Sequence, residues 1–407
     1  MNPNKYELLA PAGDMERLET ALRFGADAVY VGGPKLQLRA GSVGFTMDSL
    51  AEAARKAHTL GKKLYVTVNA FASNEDVDAA GDYARALYTL GADAVIVSDL
   101  GVIRAIRRAA PELAVHVSTQ ANCLNYGSAL SYYDLGVKRI VLGREMSLAQ
   151  IRDLRSRIPD DLELEAFVHG AMCMSYSGRC MISAYLTGRS ANHRACTQSC
   201  RWKYHLMEES RPGEYFPVVE DEDGTTIFSS FDMNCLDFLD QIMDAGVVSF
   251  KLEGRMKSPF YVATVTNAYR QRIDGILSGT ACPDQIALLQ RELNAASHRP
   301  YASGFYFGAM KKHQPDDGVY LQDTSFVGVV REAMDGRIAV EVRNRIFEGD
   351  RIEILSPASL GSSFIAREME DSEGNGVSTA SRPSEIYTMA CDANVEAGDL
   401  LRVRIQK

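Results

Sequence analysis

The stretch Gly25-Ala-Asp-Ala-Val-Tyr-Val31 recurs almost unchanged as Gly91-Ala-Asp-Ala-Val-Ile-Val97. Looser versions of the same phrase begin at Gly136 and at Gly246. Glycine readily adopts the left-handed conformation that ends a helix, and the apolar run after it suits a strand that is covered on both faces. Each copy therefore predicts the end of a helix followed by a buried parallel strand.

The same alternation extends outward from these repeats. Strands are predicted near residues 7–12, 28–32, 64–69, 94–98, 114–119, 139–143, 163–168 and 247–253. Helical spacing fills the intervals, as with Met15, Leu18 and Leu22 after the predicted N-cap Asp14. Such a series of β-α units predicts an α/β fold of the TIM (β/α)8 barrel type. An open doubly wound sheet is the alternative, but Pro11-Ala12-Gly13-Asp14 stands where its glycine-rich loop would be.

The interval between the seventh and eighth predicted strands is the longest, and it is rich in cysteine. It contains Cys173, Cys180, Cys196, Cys200 and Cys235. A connection after strand seven leaves the barrel at its C-terminal face, here called the mouth, where the active sites of TIM barrels lie. Within it, residues 214–228 predict two strands turned at Asp223-Gly224, and Cys235 opens a helix whose N-terminus favours a thiolate.

Several interpretations of these cysteines compete. Disulfides need an oxidising compartment, yet residues 1–12 show no signal peptide, so we expect a cytoplasmic chain with reduced thiols. Zinc usually takes two close pairs, and the one close pair is Cys196 with Cys200. Thiolates delivered by separate loops suit an iron-sulfur cluster better, with zinc or no metal as the alternatives. Packing as small hydrophobic residues is the interpretation we give to Cys123, Cys282 and Cys391.

The composition narrows the class of protein. Hydrophobic residues make up 46% and charged residues 24% of the 407 residues, as in a globular protein. No apolar run reaches the length that spans a bilayer, so a membrane protein is not expected. The net charge of -9, from 44 basic and 53 acidic residues, argues against indiscriminate nucleic-acid binding but leaves room for a local basic patch.

The length predicts a barrel and a smaller unit. The predicted boundaries are a TIM-type barrel over residues 1–300 with its insertion at about 170–235, a linker over 301–318 and a small β-barrel over 319–407. Residues 258–277 read as a helix, followed by a polar helical stretch to about residue 299. Short alternating strands then follow at 319–321, 326–330, 338–342 and 350–355.

Polar residues end the predicted barrel strands and would line the mouth. They are Asn69, Ser98, Asp99, Ser118, Thr119, Gln120, Arg144, Glu145, His169, Lys251, Glu253 and Arg255, with Arg39 in the loop after strand two. Arg39, Arg144 and Arg255 are candidate clamps for a carboxylate or phosphate, because a guanidinium binds such groups bidentately. We interpret Asn69, Gln120 and Lys251 as further substrate-binding candidates, although structural hydrogen bonding is the ordinary role of such residues.

His169 is the best candidate for a general base, and Glu253 is the second candidate catalytic residue. Orienting the cysteine loop is the alternative role of His169. The sequence has no G-x-S-x-G elbow and no H-E-x-x-H motif, so no hydrolase site is apparent.

The segment Glu165-Ala-Phe-Val-His-Gly170-Ala-Met-Cys173-Met-Ser-Tyr-Ser-Gly178-Arg-Cys180-Met-Ile-Ser183 resembles the signature of the collagenase-like peptidases, catalogued as unassigned-type peptidases, class 32. Leu8-Leu-Ala-Pro-Ala-Gly13, Tyr30-Val-Gly-Gly33 and Lys251-Leu-Glu-Gly-Arg255 are similar to that family as well. Despite the name, the resemblance implies an oxygen-independent hydroxylase with a [4Fe-4S] cluster that acts on tRNA wobble uridine, ribosomal RNA cytidine or a quinone precursor.

The family's four-cysteine pattern falls on Cys173, Cys180, Cys196 and Cys235, and leaves Cys200 outside it. A barrel with one small β-barrel is most similar to the tRNA uridine 5-hydroxylase branch, for which the resemblance implies prephenate as hydroxyl donor. We therefore expect a tRNA hydroxylase, and a second family member as its partner stays open. A collagenase-like protease and a scaffold that holds a structural cluster are the alternatives.

Overall fold

The computed structural model describes residues 5–37, 44–172, 182–187, 197, 199, 206–207, 215–216, 219–221, 224–226, 231–308 and 320–405. Its centre is a parallel barrel. The barrel strands are β1 (Glu7–Pro11), β2 (Ala28–Gly32), β3 (Lys63–Val68), β4 (Ala94–Val97), β5 (Ala114–Val117), β6 (Arg139–Val141), β7 (Glu163–Ala171) and β8 (Ser249–Leu252). Neighbouring strands pair in chain order, and β8 pairs with both β1 and β7. The closed TIM-type barrel is therefore confirmed.

Helices alternate with these strands and then continue the chain. They are α1 (Met15–Arg23), α2 (Met47–Thr59), α3 (Asn74–Thr89), α4 (Leu100–Ala109), α5 (Tyr126–Asp134), α6 (Leu148–Arg155), α7 (Ile182–Thr187), α8 (Leu239–Asp244), α9 (Pro259–Ser278) and α10 (Pro283–Leu293). The local signals act as predicted. Asp14 accepts a hydrogen bond from the Arg17 backbone N–H at the start of α1. Gly25 and Gly91 have φ values of 101° and 100°, a conformation that suits glycine.

Strand β7 is longer than the prediction, which ended it at residue 168. It continues to Ala171 because the segment Asp232–Asn234 pairs with it in antiparallel fashion. Tyr301–Ala302 pairs in turn with that segment. Arg299 binds this segment through Asp232. Its Nη2 and Nε lie 2.7 Å and 2.9 Å from Asp232 Oδ1, and both side chains are buried. His169 therefore lies inside a strand and not at its end.

The region between β7 and β8 contains the predicted hairpin. Val219–Asp221 pairs with Gly224–Thr226, with Asp221 opposite Gly224, so Gly224 belongs to the second strand and not to the turn predicted at Asp223-Gly224. Leu206–Met207 pairs with Tyr215–Phe216. Cys235 precedes a short 3-10 helix, Leu236–Phe238, which leads directly into α8. The predicted helix start at this cysteine is thus confirmed.

The C-terminal module is antiparallel. Its strands are β9 (Thr324–Met334), β10 (Arg337–Val342), β11 (Ile346–Phe347), β12 (Arg351–Leu355), β13 (Ser362–Ile365), β14 (Thr379–Ala380), β15 (Ile386–Ala390) and β16 (Leu400–Arg404). One sheet has the order β13-β12-β16-β9-β10-β15, and β11 pairs with β14. The strand predicted at 319–321 is wrong where it is described, because Leu321 forms only an isolated bridge with His298.

The module packs firmly on the outside of the barrel. Val329, Leu355 and Leu400 belong to the hydrophobic core of the barrel, while a second cluster fills the module. Arg402, on β16, lies with two guanidinium nitrogens 2.8 Å from the Glu292 carboxylate of α10. None of the helices in the described ranges is long and apolar enough to cross a membrane.

Candidate active site at the barrel mouth

A buried ionic network fills the lower part of the barrel. Arg139 Nη1 lies 2.5 Å from Glu7 Oε1 and 3.1 Å from Glu165 Oε2. The Ser249 hydroxyl lies between the same carboxylates, 3.0 Å from Glu7 and 3.2 Å from Glu165. Tyr65 donates its hydroxyl to Glu7 Oε2 at 2.6 Å. Inward-facing residues of different strands meet here because alternate positions of each barrel strand point to the centre.

The charges in this network depend on one another. Burial by itself raises the pKa of Glu7, but the Arg139 guanidinium outweighs it, so the pKa of that carboxyl lies below its usual range. Burial lowers the pKa of Lys251, and its ion pair with Glu165, at 2.7 Å, only partly offsets this. Buried ions are tolerated only with such partners. The network therefore fixes Lys251 from below.

Lys251 and Arg144 share an aromatic wall near the mouth. The Lys251 ammonium lies 4.4 Å from the centre of the Tyr30 ring and 5.5 Å from that of Phe167. Arg144 stacks on Phe167 at 3.8 Å and donates Nη1 to the Ala171 carbonyl at 2.5 Å. Cation–π contacts of this kind hold guanidinium and ammonium groups in place. Two of the predicted substrate-binding residues are thereby brought together.

Arg255 lies at the same end of the barrel and is buried, with Nη1 3.0 Å from Thr67 Oγ1. Gln37, a residue that the sequence reasoning missed, is only 7% exposed. Its Oε1 has no hydrogen-bond partner among the described residues. A Cβ at Gly32 would lie 1.8 Å from Gln37 Oε1 and 2.7 Å from Arg255 Nη1, so a larger residue there would push both side chains aside. Gln37 and Arg255 therefore meet over Gly32.

Asn69 and Gln120 lie on neighbouring parts of the rim. Asn69 donates Nδ2 to Ser118 Oγ at 3.1 Å, and its carbonyl accepts from Ser98. Gln120 is half-buried in a short 3-10 turn that Ser118 caps. The structure thus places both at the mouth, and their role in binding a substrate stays a prediction. Ser118 could have been identified as a cap from its place before the turn.

The two candidate catalytic residues lie in different surroundings. Glu253 follows β8, is half-buried, and its backbone carbonyl accepts from the Tyr261 hydroxyl at 3.1 Å. His169 is 1% exposed, and its ring lies 5.4 Å from the ring centres of both Tyr269 and Tyr301. Burial lowers the pKa of His169 to about 3, so the ring is neutral.

The prediction that His169 ends a strand at the mouth is therefore corrected. The register of β7 against β8 shifts after Lys251, and this irregularity accompanies the turning of His169 toward α9. Its function as a general base stays a prediction that these contacts do not favour. Arg39, the third candidate clamp, lies outside the described residues.

Cys235 is the predicted metal ligand that the structure describes. Its thiol is free and completely buried, and burial raises the pKa of that thiol well above its usual range. A buried thiol in no disulfide is available to a metal, which would displace its proton, but burial outweighs the helix N-terminus that was expected to favour a thiolate here. Cys173, Cys180 and Cys196 lie outside the described residues, as does Cys200. The described part of the chain alone contains no group of three or more metal-ligating side chains.

The three remaining described cysteines differ in their exposure to solvent. Cys123 and Cys391 are buried, as packing residues should be. The same interpretation of Cys282 is wrong, because Cys282 is exposed as the residue that precedes α10. The sequence pattern did not indicate this exposure at the N-terminus of α10.

Comparison with known proteins adds the family. Residues 13–316 match Peptidase family U32, and residues 322–402 match the Peptidase family U32 C-terminal domain. The chain belongs to peptidase family U32. The resemblance in the segment from Glu165 to Ser183 is thereby confirmed.

Relatives within this U32 family carry different names. The chain is 35% identical over 405 residues to "tRNA hydroxylation protein P1" of Bacillus subtilis, covering 98% of this chain and 94% of the relative. It is 34% identical to "tRNA hydroxylation protein P" of Escherichia coli, over 95% of this chain and 93% of the relative. It is also 34% identical to a "Collagenase" of Porphyromonas gingivalis, over 76% of this chain and 75% of the relative.

Proposed function

We propose that this protein is an oxygen-independent, iron-sulfur-dependent tRNA hydroxylase that forms 5-hydroxyuridine at the anticodon wobble position, with prephenate as the hydroxyl donor. The similarity to two relatives named as tRNA hydroxylation proteins carries the proposal. It extends over nearly the whole of each chain, so the barrel, the insertion and the module are shared and not one domain alone.

The charges at the mouth support an anionic donor. Arg255 is held by Thr67, Arg144 by Phe167, and Lys251 by Glu165. Groups held by such contacts lose little freedom on binding, and guanidinium groups match carboxylates geometrically. A dicarboxylate would be bound by Arg144 and Arg255, while Asn69, Gln120 and Gln37 offer hydrogen bonds to an extruded base.

A [4Fe-4S] cluster would be held by Cys173, Cys180, Cys196 and Cys235, and would supply electron transfer when bound. Hydrogen bonds near these positions support the set. Ser183, three residues after Cys180 in the sequence, lies with Oγ 2.7 Å from Oγ1 of Thr197, which directly follows Cys196. The Thr197 backbone N–H also donates to Ser183 at 3.0 Å.

RNA contact is proposed for the module as well. Arg345 and Arg351 are exposed and form no ion pair with an acidic residue in the described ranges, while Phe347 is 49% exposed. Arginines beside an exposed aromatic ring suit single-stranded RNA. Removing the whole module would take Val329 and Leu400 out of the hydrophobic core that they share with the barrel, so surface variants are the better test. Arg345→Glu with Arg351→Glu should weaken tRNA binding and reduce its salt dependence.

The decisive experiment is mass spectrometry of tRNA nucleosides from a strain that lacks the gene and any second family member. We expect hydroxyuridine-derived nucleosides to vanish and to return with the wild-type gene. Purified, cluster-loaded protein should then form the nucleoside from unmodified tRNA only when prephenate is added. Unchanged nucleoside levels in the deletion strain would refute the activity, and turnover without prephenate would refute the donor alone.

A protease is the second candidate, because one relative of similar identity is named a collagenase. The test is gelatin cleavage by the same purified protein. Cleavage that persists in Cys235→Ala, from which iron is expected to be lost, would favour the protease. Hydroxylation that disappears with the iron would favour the tRNA enzyme.

A further inference from the structure

The hydroxyl of Tyr269 is a junction of hydrogen bonds beside the predicted ligand Cys235. The Cys235 backbone N–H donates to Tyr269 Oη at 3.0 Å, and Tyr269 donates to the Val168 carbonyl at 2.8 Å. Asn234 Oδ1 lies 3.3 Å from the same hydroxyl, and His169 Nδ1 lies 3.4 Å from it. One side chain of α9 therefore joins β7 to the segment that carries Cys235.

The junction is closed to solvent. Tyr269 and Cys235 are each 0% exposed, and His169 is 1% exposed. The Cys235 N–H also lies 3.0 Å from the Val168 carbonyl, so its position is defined by the strand and by the tyrosine together. A hydrogen bond in such an environment restricts its partners more than one at the surface does.

Partners that orient a metal ligand affect how tightly the metal is held. Solvent exclusion and hydrogen bonds around the cysteines also set the stability and potential of an iron-sulfur cluster. We infer that Tyr269 is a positioning residue that holds Cys235 in place as a cluster ligand. The inference rests on the proposed cluster, and His169 supports it by packing edge-on against Tyr269.

Tyr269→Phe removes the hydroxyl and keeps the ring. Tyr301→Phe is the matched control, because Tyr301 also packs against His169, while its hydroxyl donates to the Leu293 carbonyl at 3.2 Å and not to the Cys235 segment. Each variant thus loses one hydroxyl that is bonded to a backbone carbonyl. They differ in the connection to Cys235.

The proteins are reconstituted anaerobically with iron and sulfide, and iron loss to a chelator is followed by the decay of the cluster absorbance. Replacing a residue that orients a metal ligand typically weakens metal binding by about 10- to 100-fold. We expect Tyr269→Phe to release iron at least about tenfold faster than wild type and Tyr301→Phe to match wild type. The cluster signal in electron paramagnetic resonance should also shift in Tyr269→Phe alone.

The outcomes separate the inference from the proposed function. A wild-type protein that binds no iron would overturn the proposed function and with it this inference. Iron-loaded Tyr269→Phe that releases iron at the wild-type rate would overturn the inference alone. So would a Tyr269→Phe that fails to fold while Tyr301→Phe folds, because Tyr269 would then serve the fold and not the ligand.

Discussion

Arg139 offers the sharpest test of how the barrel is held together. It is 4% exposed and carries the positive charge between Glu7, at 2.5 Å, and Glu165, at 3.1 Å. Arg139→Met keeps an unbranched side chain but shortens it and removes the charge. Two carboxylates on facing strands would then be left with Lys251 as the nearest buried cation. We expect the variant to fold but to be much less stable.

The expected loss of stability follows from the burial of the Arg139 ion pairs. Removing one partner of a buried ion pair typically costs about 3–5 kcal/mol, far more than removing one partner of an exposed pair. Lys251 and Ser249 stay close to Glu165 and moderate the loss. We therefore expect Arg139→Met to lower the free energy of unfolding by about 3 kcal/mol at pH 7. The exposed pair of Arg157 with Asp153, at 2.8 Å, supplies the control variant Arg157→Met.

The difference in stability between wild type and Arg139→Met should depend on pH. In the wild type Arg139 holds the pKa of Glu7 below its unfolded value, so that contribution is present at neutral pH and is lost as the pH falls through the lowered pKa. Without Arg139, burial would be opposed by the Tyr65 hydrogen bond and by Lys63, and we expect it to outweigh them and raise the pKa of Glu7. The folded variant would then bind a proton more readily than its unfolded chain, and its stability would rise as the pH falls from 7 to 5.

The assay is urea denaturation followed by far-ultraviolet circular dichroism at pH 7 and pH 5. The free energy of unfolding of Arg139→Met should lie well below that of Arg157→Met at pH 7, and the gap should narrow at pH 5. A variant within about 1 kcal/mol of wild type at pH 7 would contradict the reasoning, since breaking a buried pair costs more than that. A gap that widens at pH 5 would contradict the assignment to the carboxylates.

Three further predictions use other parts of the molecule. Cys235→Ala should lose iron from anaerobically purified protein, whereas the exposed Cys282→Ala should retain it, as iron analysis would measure. Arg402→Met removes the two 2.8 Å contacts to Glu292, so it should lower the thermal midpoint and speed proteolytic release of the module. An unchanged pattern of proteolytic fragments would count against this contact between module and barrel. Arg255→Lys removes the guanidinium fork and should raise KM for the donor carboxylate more than it lowers kcat.

Much of the fold followed from local signals in the sequence. The repeats at Gly25 and Gly91 marked the helix ends because a positive φ is costly for residues with a Cβ. The N-cap at Asp14 and the hairpin in the insertion were predicted for similar reasons. The arrangement of these units into a closed barrel also followed, since alternating strands and helices have few other stable packings.

The candidate site was only partly contained in the sequence. A position at the C-terminal end of a strand brings a residue near the mouth, so Arg144 and Arg255 could be identified by counting strands. The direction in which a side chain points could not be identified in this way. His169 packs against Tyr269 of α9 at the point where the β7–β8 register shifts, and such an irregularity depends on pairing with residues far along the chain.

The sequence by itself determined the alternation of elements, the clustering of cysteines and the family. Those properties depend on neighbours in the chain, or on residue types at fixed spacing. Only the tertiary structure decided which charges meet inside the barrel and that a tyrosine of α9 holds the backbone of Cys235. Glu7 with Arg139, and Cys235 with Tyr269, come together through barrel closure and helix packing, and the free energy of such contacts depends on a burial that no local pattern specifies.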